Sequence, residues 1–290
     1  MATVEFHALN ISATPHPRGA YRKLFEGLAG KRVKYYGEKI AAFSKPSDTK
    51  DGVFWGYIFS WTEIDKNQPV IDTILLQKPD EEKLADIIIP ENIGFNWQSF
   101  IYVFVEERHL LVFESRNAES RTLAPSNAEK IFRTIFQTNS IVYVLIDGYP
   151  LYHVEVDLVV EKNTLDKIFS IPRISQLEIQ IGRPNPDDNS IDADRIIERL
   201  ERINARAEII RYRVSDSKEG LKPDETMREQ GAAALRHGFV EAKGENEGGQ
   251  IILSSKQYPK SHKAYADPHS TTIDTAIQIA KRIFARLDST

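Results

Sequence analysis

Two apolar runs separated by three charged residues constrain the fold of this chain more than any other feature. The first run is SFIYVFV (99–105) and the second is HLLVFES (109–115), with only Glu106, Glu107 and Arg108 between them. Aromatic and β-branched residues favour strands, and three residues are enough for a hairpin connection. The sequence therefore predicts an antiparallel pair of strands at the centre of the chain.

The flanking sequence predicts further strands and helices. The aromatic run GVFWGYIFSW (52–61) is typical of a buried strand, and Tyr21, Leu24, Phe25 and Leu28 follow helical spacing. The alternative for the aromatic run is an exposed apolar patch that binds a protein partner. We expect this run to form a buried strand of the core, because most strands of this composition are buried.

Strand and helix patterns alternate in the second half of the chain. This alternation predicts an α+β fold of mixed sheets with helices packed on one face, and a split β-α-β (ferredoxin-like) unit in the C-terminal part. We expect an N-terminal α+β subdomain with a strand-rich middle over 1–138 and a C-terminal alternating β/α subdomain over 139–290. On the strand pattern EVDLVVEK (155–162), Glu155 and Asp157 share one side and are expected to face solvent.

Composition excludes several classes of protein. The chain has 290 residues, a net charge of -4 and no cysteine, which excludes disulfides, thiolate metal sites and a cysteine nucleophile. The first twenty residues lack a signal-peptide core, and no run of eighteen apolar residues follows. We expect a cytoplasmic, water-soluble protein with no membrane partner.

The N-terminal region combines basic and aromatic residues, as single-stranded nucleic-acid sites do. The window PRGAYRKLFEGLAGKRVKYYGEK (17–39) predicts phosphate contacts and base stacking by Arg18, Arg22, Lys23, Lys31, Arg32, Lys34, Tyr35 and Tyr36. Arg211 and Arg213 share one side of a second basic strand and join this candidate set. The alternative is structural, with the cations on the polar side of a helix and on a charge-protected edge strand.

The stretch KPDETMREQGAAALRHGFVEAKG (222–244) carries the letters of a metal-dependent nuclease of the PD-(D/E)xK type. In that interpretation Asp224 and Glu241 would hold Mg²⁺, and Lys243 would orient the attacking water. Asp224 instead precedes a strongly helical segment, where an N-cap is its expected role. Because a helix then separates Asp224 from Glu241, we favour a structural interpretation of all three residues.

No other pattern predicts a metal or a cofactor. The seven histidines never show the spacing of a helical metal site, and the chain contains no Walker loop, dinucleotide fingerprint or nucleophile elbow. The acidic loop PNPDDNSIDAD (184–194) lacks the glycine of a calcium loop, so helix capping is its expected role. We expect no cofactor, and Mg²⁺ only under the nuclease alternative.

Several segments carry a resemblance to a known family. IPENIGFNWQSFIYVFVEERHLLVFES (89–115), ISQLEIQIGRPNPDD (174–188) and GLKPDETMREQGAAALRHGFVEAKG (220–244) resemble the bacterial family called domain of unknown function 4747. The resemblance covers nearly the whole chain. It implies a bacterial cytoplasmic protein encoded among phage-defence or mobile-element genes, and it carries no catalytic residues over to this chain.

These observations give three functional hypotheses. The first is a non-catalytic component of a bacterial phage-defence or mobile-element system that binds single-stranded RNA or DNA. The second is the Mg²⁺-dependent nuclease, and the third is an interaction subunit of a defence complex whose partner is a protein from a neighbouring gene. We favour the first because the local excess of basic and aromatic residues is the strongest functional signal in the sequence.

Overall fold

The structure is a computed structural model of the whole chain. The described ranges are 3–14, 20–49, 53–63, 69–80, 90, 92–143, 145–146, 149–150, 153–184, 191–215, 218–265 and 272–287.

Fifteen strands and six helices are defined in the described part of the chain. The strands are β1 (Thr3–Thr14), β2 (Val33–Tyr36), β3 (Lys39–Phe43), β4 (Ser47–Asp48), β5 (Val53–Thr62), β6 (Phe95–Val105), β7 (Leu110–Arg116), β8 (Leu145–Ile146), β9 (Tyr149–Pro150), β10 (His153–Leu158), β11 (Arg173–Gly182), β12 (Ala207–Arg213), β13 (Gly238–Asn246), β14 (Gly249–Ser254) and β15 (His262–Tyr265). The helices are α1 (Ala20–Leu28), α2 (Pro125–Tyr143), α3 (Thr164–Phe169), α4 (Ile191–Arg202), α5 (Glu225–His237) and α6 (Thr272–Leu287).

The larger sheet has nine antiparallel strands. Its main path is β10-β1-β7-β6-β5-β3-β2, while β15 pairs with β1 and β4 pairs with β5. The predicted hairpin is present as β6 and β7, which Glu106–Arg108 connect in a single 3-10 turn. His109 closes this turn with a positive φ of 55°. The edge strand β2 ends the path on one side of the sheet.

One side of this sheet, called the first face, forms the main hydrophobic core with α1 and α2. Phe25 on α1 is fully buried at its centre. Its ring centroid lies 5.1 Å from that of Phe54, 5.3 Å from that of Phe104 and 5.4 Å from that of Phe136. Offset and edge-on aromatic pairs at such distances stabilise a core beyond their buried area.

The opposite side, called the second face, is covered in part by α6. Small and branched residues of this helix, including Ala276 and Ile279, are buried against Val103 and Val112 of the sheet. α6 contacts β6 and β7. The larger sheet therefore has helices on both faces, in contrast to the one-sided packing that the sequence predicts.

The smaller sheet has four strands in the order β12-β11-β13-β14. β12 and β13 are both antiparallel to β11, which lies between them, so they run parallel to one another. Because α5 joins β12 to β13, this unit has the predicted split β-α-β arrangement. α3 and α5 pack on the face that carries Leu177, Ile179 and Val240. The predicted α+β fold is confirmed.

The chain after β14 returns to the larger sheet. Val160 and Pro259 form a β-bridge, the amide of Lys260 donates to the carbonyl of Val159 at 2.9 Å, and β15 then pairs with β1. β10, β15 and α6, which follow residue 139 in the chain, thus belong to the larger sheet or pack on it. Residues 138 and 139 lie within α2. The proposed division into 1–138 and 139–290 stays a prediction, and it does not coincide with the boundary between the sheets.

We expect Phe25→Ala to lower the free energy of unfolding by about 3–5 kcal/mol, because it removes a fully buried ring and leaves a cavity. Urea unfolding followed by circular dichroism measures the change. Tyr36→Ala is the matched control, because Tyr36 is 65% exposed and surface changes fall within about 0.5 kcal/mol. Equal effects of the two substitutions would contradict the assignment of Phe25 to the core.

Candidate functional site

The second face of the larger sheet carries a group of aromatic side chains that begins against the α6 core, where Trp55 and Tyr57 pack, and extends away from it. On β5 the strand alternation directs Phe54 and Ile58 into the first-face core, and Trp55, Tyr57 and Phe59 to the second face. The last three are half-buried. We call the aromatic face the group formed by Tyr36, Trp55, Tyr57, Phe59, Trp61 and Trp97.

Four rings of the aromatic face, those of Trp55, Tyr57, Phe59 and Trp97, follow one another along the sheet. Ring centroids are 5.6 Å apart for Trp55 and Tyr57, 5.8 Å for Tyr57 and Phe59, and 6.5 Å for Phe59 and Trp97. The planes of Phe59 and Trp97 are inclined by 27°, and Trp97 is 64% exposed. The row therefore ends in a large ring whose surface is open to a ligand.

A cavity of about 240 Å³ lies at this end of the row. Its lining includes Arg32, Trp61 and Trp97. The guanidinium of Arg32 lies 5.7 Å from the ring centroid of Trp61 and donates to Glu63 at 3.1 Å. A Cβ on Gly94 would lie 2.2 Å from Cδ1 of Trp61, so the absence of a side chain there allows the indole to sit in its observed position.

The edge strand β2 adds cations to this face. Lys34 lies opposite Ile40 on β3, and Ile40 lies opposite Trp61 on β5, so the three share one side of the sheet. The ammonium of Lys34 contacts Glu38 at 2.8 Å, and its side chain is 55% exposed. Surface ion pairs of this kind are worth about 0–1 kcal/mol, so a phosphate can replace the carboxylate.

The prediction that Tyr35 stacks on a base is wrong. Tyr35 alternates with Lys34 and Tyr36 along β2 and points into the first-face core, where it is only 4% exposed. Its hydroxyl forms a hydrogen bond of 2.8 Å with that of Ser60. Tyr35 is thus a core residue, whereas Tyr36 presents its ring to solvent.

The structure divides the remaining N-terminal cations between different places. Arg22, on α1, contacts Glu26 at 2.7 Å and also pairs with Asp48, and its guanidinium lies over the ring of Phe54. These contacts place it on the first-face side with α1. Lys23 is exposed on the same helix, and Lys31 is exposed just before β2. Arg18 lies outside the described residues.

Arg211 and Arg213 lie on the smaller sheet, on the exposed side of β12. Two nitrogens of the Arg211 guanidinium donate to the same oxygen of Glu178, at 2.8 and 2.6 Å. Gln176, on β11, lies opposite Arg213 of β12 on one side and opposite Lys243 of β13 on the other. These arginines therefore belong to a mixed-charge surface on a different sheet from β2.

The structure does not bring the nuclease-like residues together. Asp224 is the N-cap of α5, and its carboxylate accepts the amide of Met227 at 2.8 Å. Glu241 and Lys243 alternate on β13 with Val240 and Ala242, which are buried beneath the helices. The carboxylate of Glu241 thus belongs to the side of the sheet opposite α5. The structural interpretation from the sequence accounts for this geometry.

The strand pattern predicts that Glu155 and Asp157 face solvent, but in the structure both carboxylates are partly buried and paired with other side chains. Glu155 contacts His153 at 2.6 Å and Arg206 at 3.0 Å. Burial opposes its ionisation, but these groups outweigh burial and lower its pKa. The side chain of Asp157 is 17% exposed, 3.7 Å from Arg133. Burial raises the pKa of Asp157 to about 7, and Arg133 offsets only part of this rise.

These carboxylates belong to an ion network at the junction of the two sheets. Glu129 on α2 is buried and pairs with Arg133 on the same helix. It also accepts from Lys256 at 3.2 Å, in the 3-10 turn after β14. Removing one partner of a buried pair leaves an uncompensated charge. The network therefore holds the smaller sheet against α2, and we assign it a structural role.

A second cavity, of about 410 Å³, adjoins the aromatic face at Tyr57. Its lining also includes Ser99, Glu114 and Asn117, together with Thr272 at the start of α6. Glu114 is 2% exposed, and its Oε2 accepts the amide of Ile101 at 3.3 Å. Its Oε1 has no hydrogen-bond partner in the described part of the chain. Sequence reasoning overlooked Glu114, although it continues the buried alternation of Leu110 and Val112.

Metal binding and membrane insertion find no support among the described residues. There, no group of three or more His, Asp or Glu side chains is arranged to hold a metal ion. Within the same ranges, none of the helices has both the length and the apolar character needed to cross a bilayer. Residues 185–190, which include Asp187 and Asp188 of the acidic loop, lie outside the described residues.

Comparison with known families identifies the chain. The model of the family described as "Domain of unknown function (DUF4747)" matches residues 2–282. The chain belongs to the DUF4747 family. This finding confirms the resemblance noted in the sequence. No curated protein matches this DUF4747 chain.

We expect Glu114→Gln to change the pH dependence of stability of this DUF4747 protein. Burial raises the pKa of Glu114 from the ordinary 4.5 to about 7. Between these values the folded state holds a proton that the unfolded state has released, so this group makes stability fall as pH rises, by about 3 kcal/mol in total. The free energy of unfolding of the variant relative to wild type should therefore increase from pH 5 to pH 8.

Urea unfolding at both pH values measures this difference. Asp157 also has a raised pKa, but it is present in both proteins and cancels in the comparison. A difference between variant and wild type that stays constant from pH 5 to pH 8 would show that Glu114 titrates in the ordinary range.

Proposed function

We propose that this chain is a non-catalytic protein that binds single-stranded RNA or DNA on its aromatic face. The observation that carries the proposal is the row of rings on one face of the sheet, which runs from the half-buried Trp55 to the exposed Trp97 and has Arg32 and Lys34 on the same face. Sheets that bind single-stranded RNA stack two or three bases on aromatic side chains in this way.

In this proposal, bases of the bound strand stack on the rings of the aromatic face. Tyr57 and Trp61 are four residues apart on one strand, which corresponds to about 13 Å. Each base stacked on an aromatic side chain contributes about 1–3 kcal/mol by alanine substitution, with little dependence on sequence. Trp97 and Tyr36 expose the most ring surface of the group. They are therefore the principal stacking residues in the proposal.

Phosphate contacts are assigned to Arg32 and Lys34. Both side chains are more than half exposed. Arg32 lies over the ring of Trp61, and Lys34 lies two strands from Trp61 on the same side of the sheet, with Ile40 between the two. Their present partners, Glu63 and Glu38, are also largely exposed, so exchange of a carboxylate for a phosphate requires no buried charge. The net charge of -4 is compatible with this assignment because the attraction is local.

The non-catalytic part of the proposal rests on the positions of the candidate catalytic residues. Asp224 caps α5, while Glu241 and Lys243 belong to the opposite side of the smaller sheet. A nuclease of the proposed type needs its two carboxylates to converge on one metal ion. We include in the proposal the setting that the family resemblance implies, a bacterial phage-defence or mobile-element system.

A second candidate function is supported by a separate apolar surface. Ile71, Ile74, Leu75 and Leu76 are all more than half exposed in one short turn. The carboxylate of Asp72 orders this turn by accepting the amides of Ile74 at 2.9 Å and Leu75 at 3.0 Å. Clustered exposed apolar residues mark protein-binding sites. This turn is the surface that a protein partner from a neighbouring gene would contact.

We expect Trp97→Ala to weaken binding of a fluorescein-labelled single-stranded oligonucleotide by roughly fivefold or more, because one stacked base is lost. Arg32→Ala combined with Lys34→Ala should weaken binding and reduce the slope of log K against log salt by about 1.4, since each phosphate contact to a single strand contributes about 0.7. Fluorescence anisotropy over a range of salt concentrations measures both effects.

The matched control removes two comparable cations elsewhere. Arg199 and Lys222 are exposed and paired with Glu208 and Glu219, so Arg199→Ala combined with Lys222→Ala causes the same loss of charge. This control should leave affinity and salt slope nearly unchanged. Binding that survives the aromatic-face substitutions would place the site elsewhere. A wild-type protein that binds no oligonucleotide would disprove the function and leave the apolar turn as the leading candidate.

A further inference from the structure

The cavity beside Glu114 has the chemistry of a site for hydrogen-bond donors. Two carboxyl groups, those of Glu114 and Glu119, are among its lining residues, and its described lining contains no lysine or arginine. A phosphate would be repelled by this surface, whereas a group with N–H donors would be attracted. The cavity volume of about 410 Å³ lies in the range of small-ligand sites.

Glu114 is the residue in this cavity with unused hydrogen-bonding capacity. Its side chain is almost completely buried, and Oε1 lacks a hydrogen-bond partner in the described ranges. A buried polar atom without a partner is costly, so such atoms point to a missing ligand. The amide of Ile101 donates to Oε2 and orients the carboxyl. Oε1 and the second acceptor position of Oε2 then remain for other donors.

The aromatic face leads directly into this cavity. Tyr57 belongs to the row of rings and also lines the cavity, next to Ser99 and Ile101. A nucleic-acid strand lying along the row would therefore place one base at Glu114. Among the bases, guanine presents two adjacent donors, N1–H and the N2 amino group, which match the two oxygens of a carboxylate.

We propose that this cavity binds one guanine base of the single-stranded nucleic acid, with the carboxylate of Glu114 accepting N1–H and N2–H. The inference rests on the proposed nucleic-acid binding and adds a base preference to it. Two donated hydrogen bonds stabilise the ionised form of a carboxyl group. Adenine offers one donor beside an acceptor on the corresponding edge, so the carboxylate discriminates against it.

The test compares oligouridines that contain one central guanine, inosine or adenine. Inosine lacks only the N2 amino group, so it removes one of the two proposed hydrogen bonds. Anisotropy at pH 8 should show wild-type protein binding the guanine strand roughly tenfold or more tightly than the adenine strand, with inosine between them. Glu114→Gln should abolish this order, because an amide cannot accept both N1–H and N2–H.

Two controls keep the result interpretable. Glu241→Gln makes the same chemical change on the smaller sheet, and it should preserve the preference for guanine. A urea-unfolding curve of Glu114→Gln shows whether the variant is folded. If that variant is unfolded, Thr272→Tyr tests the site independently, because a bulky side chain in the lining should reduce the guanine preference, whereas Trp61 and Trp97 line the other cavity.

The outcomes separate this inference from the proposed function. Equal affinity of wild type for all three strands would overturn the guanine site while leaving nucleic-acid binding intact. Failure to bind any strand would overturn the proposed function itself. Guanosine monophosphate as a competitor provides a further arm. Guanosine monophosphate could bind the wild type and not Glu114→Gln while no oligonucleotide binds either protein. The cavity would then be a guanine site, but its ligand would be a free nucleotide and not a nucleic acid.

Discussion

The antiparallel pairing of β5 with β6 determines both the core and the candidate site. Residues opposite one another in this pair share a face, so Ile58 and Phe100 point to the helices α1 and α2, while Tyr57 and Ile101 point to the other side. A slip of one residue would exchange the two faces. The buried Phe54 and Phe104, stacked with ring centroids 5.0 Å apart, oppose such a slip because each is part of the core around Phe25.

The same pairing explains why one face of the sheet can remain aromatic and accessible. The first face supplies most of the buried apolar surface and thereby stabilises the larger sheet. α6 adds a second core against β6 and β7. Trp55 and Tyr57 pack against this second core. Trp97, at the other end of the row, is not needed for either core and is 64% exposed. Arg32, just before the edge strand β2, and Lys34 on it then add two exposed cations to this surface, each paired with an exposed carboxylate.

Local patterns in the sequence were sufficient for the elements but not for their assembly. The β6–β7 hairpin, α5 and the split β-α-β unit follow from short-range periodicity, which is why they were predicted correctly. The return of β10 and β15 to β1 depends on contacts far apart in the chain. Periodicity carries no information on such pairing. For the same reason the position of α6 on the second face could not be predicted.

The candidate site was predicted only in part. Arg32, Lys34 and Tyr36 stand out in sequence because they are adjacent, and strand alternation alone could have assigned Tyr35 to the core. Trp97 and Glu114 come from other strands and join the site through β5–β6 and β6–β7 pairing. Likewise, Asp157 meets Arg133 only because α2 packs beside β10. Residues that meet only through sheet assembly leave no local signal.

The tryptophans allow a direct test of the central claim. The chain contains three of them, and Trp55, Trp61 and Trp97 all belong to the aromatic face. Intrinsic tryptophan fluorescence therefore reports from this surface alone. Titration with single-stranded oligonucleotides should give saturable quenching whose midpoint matches the affinity from anisotropy, because bases stack on these rings. Binding detected by anisotropy without any change in tryptophan fluorescence would contradict the account.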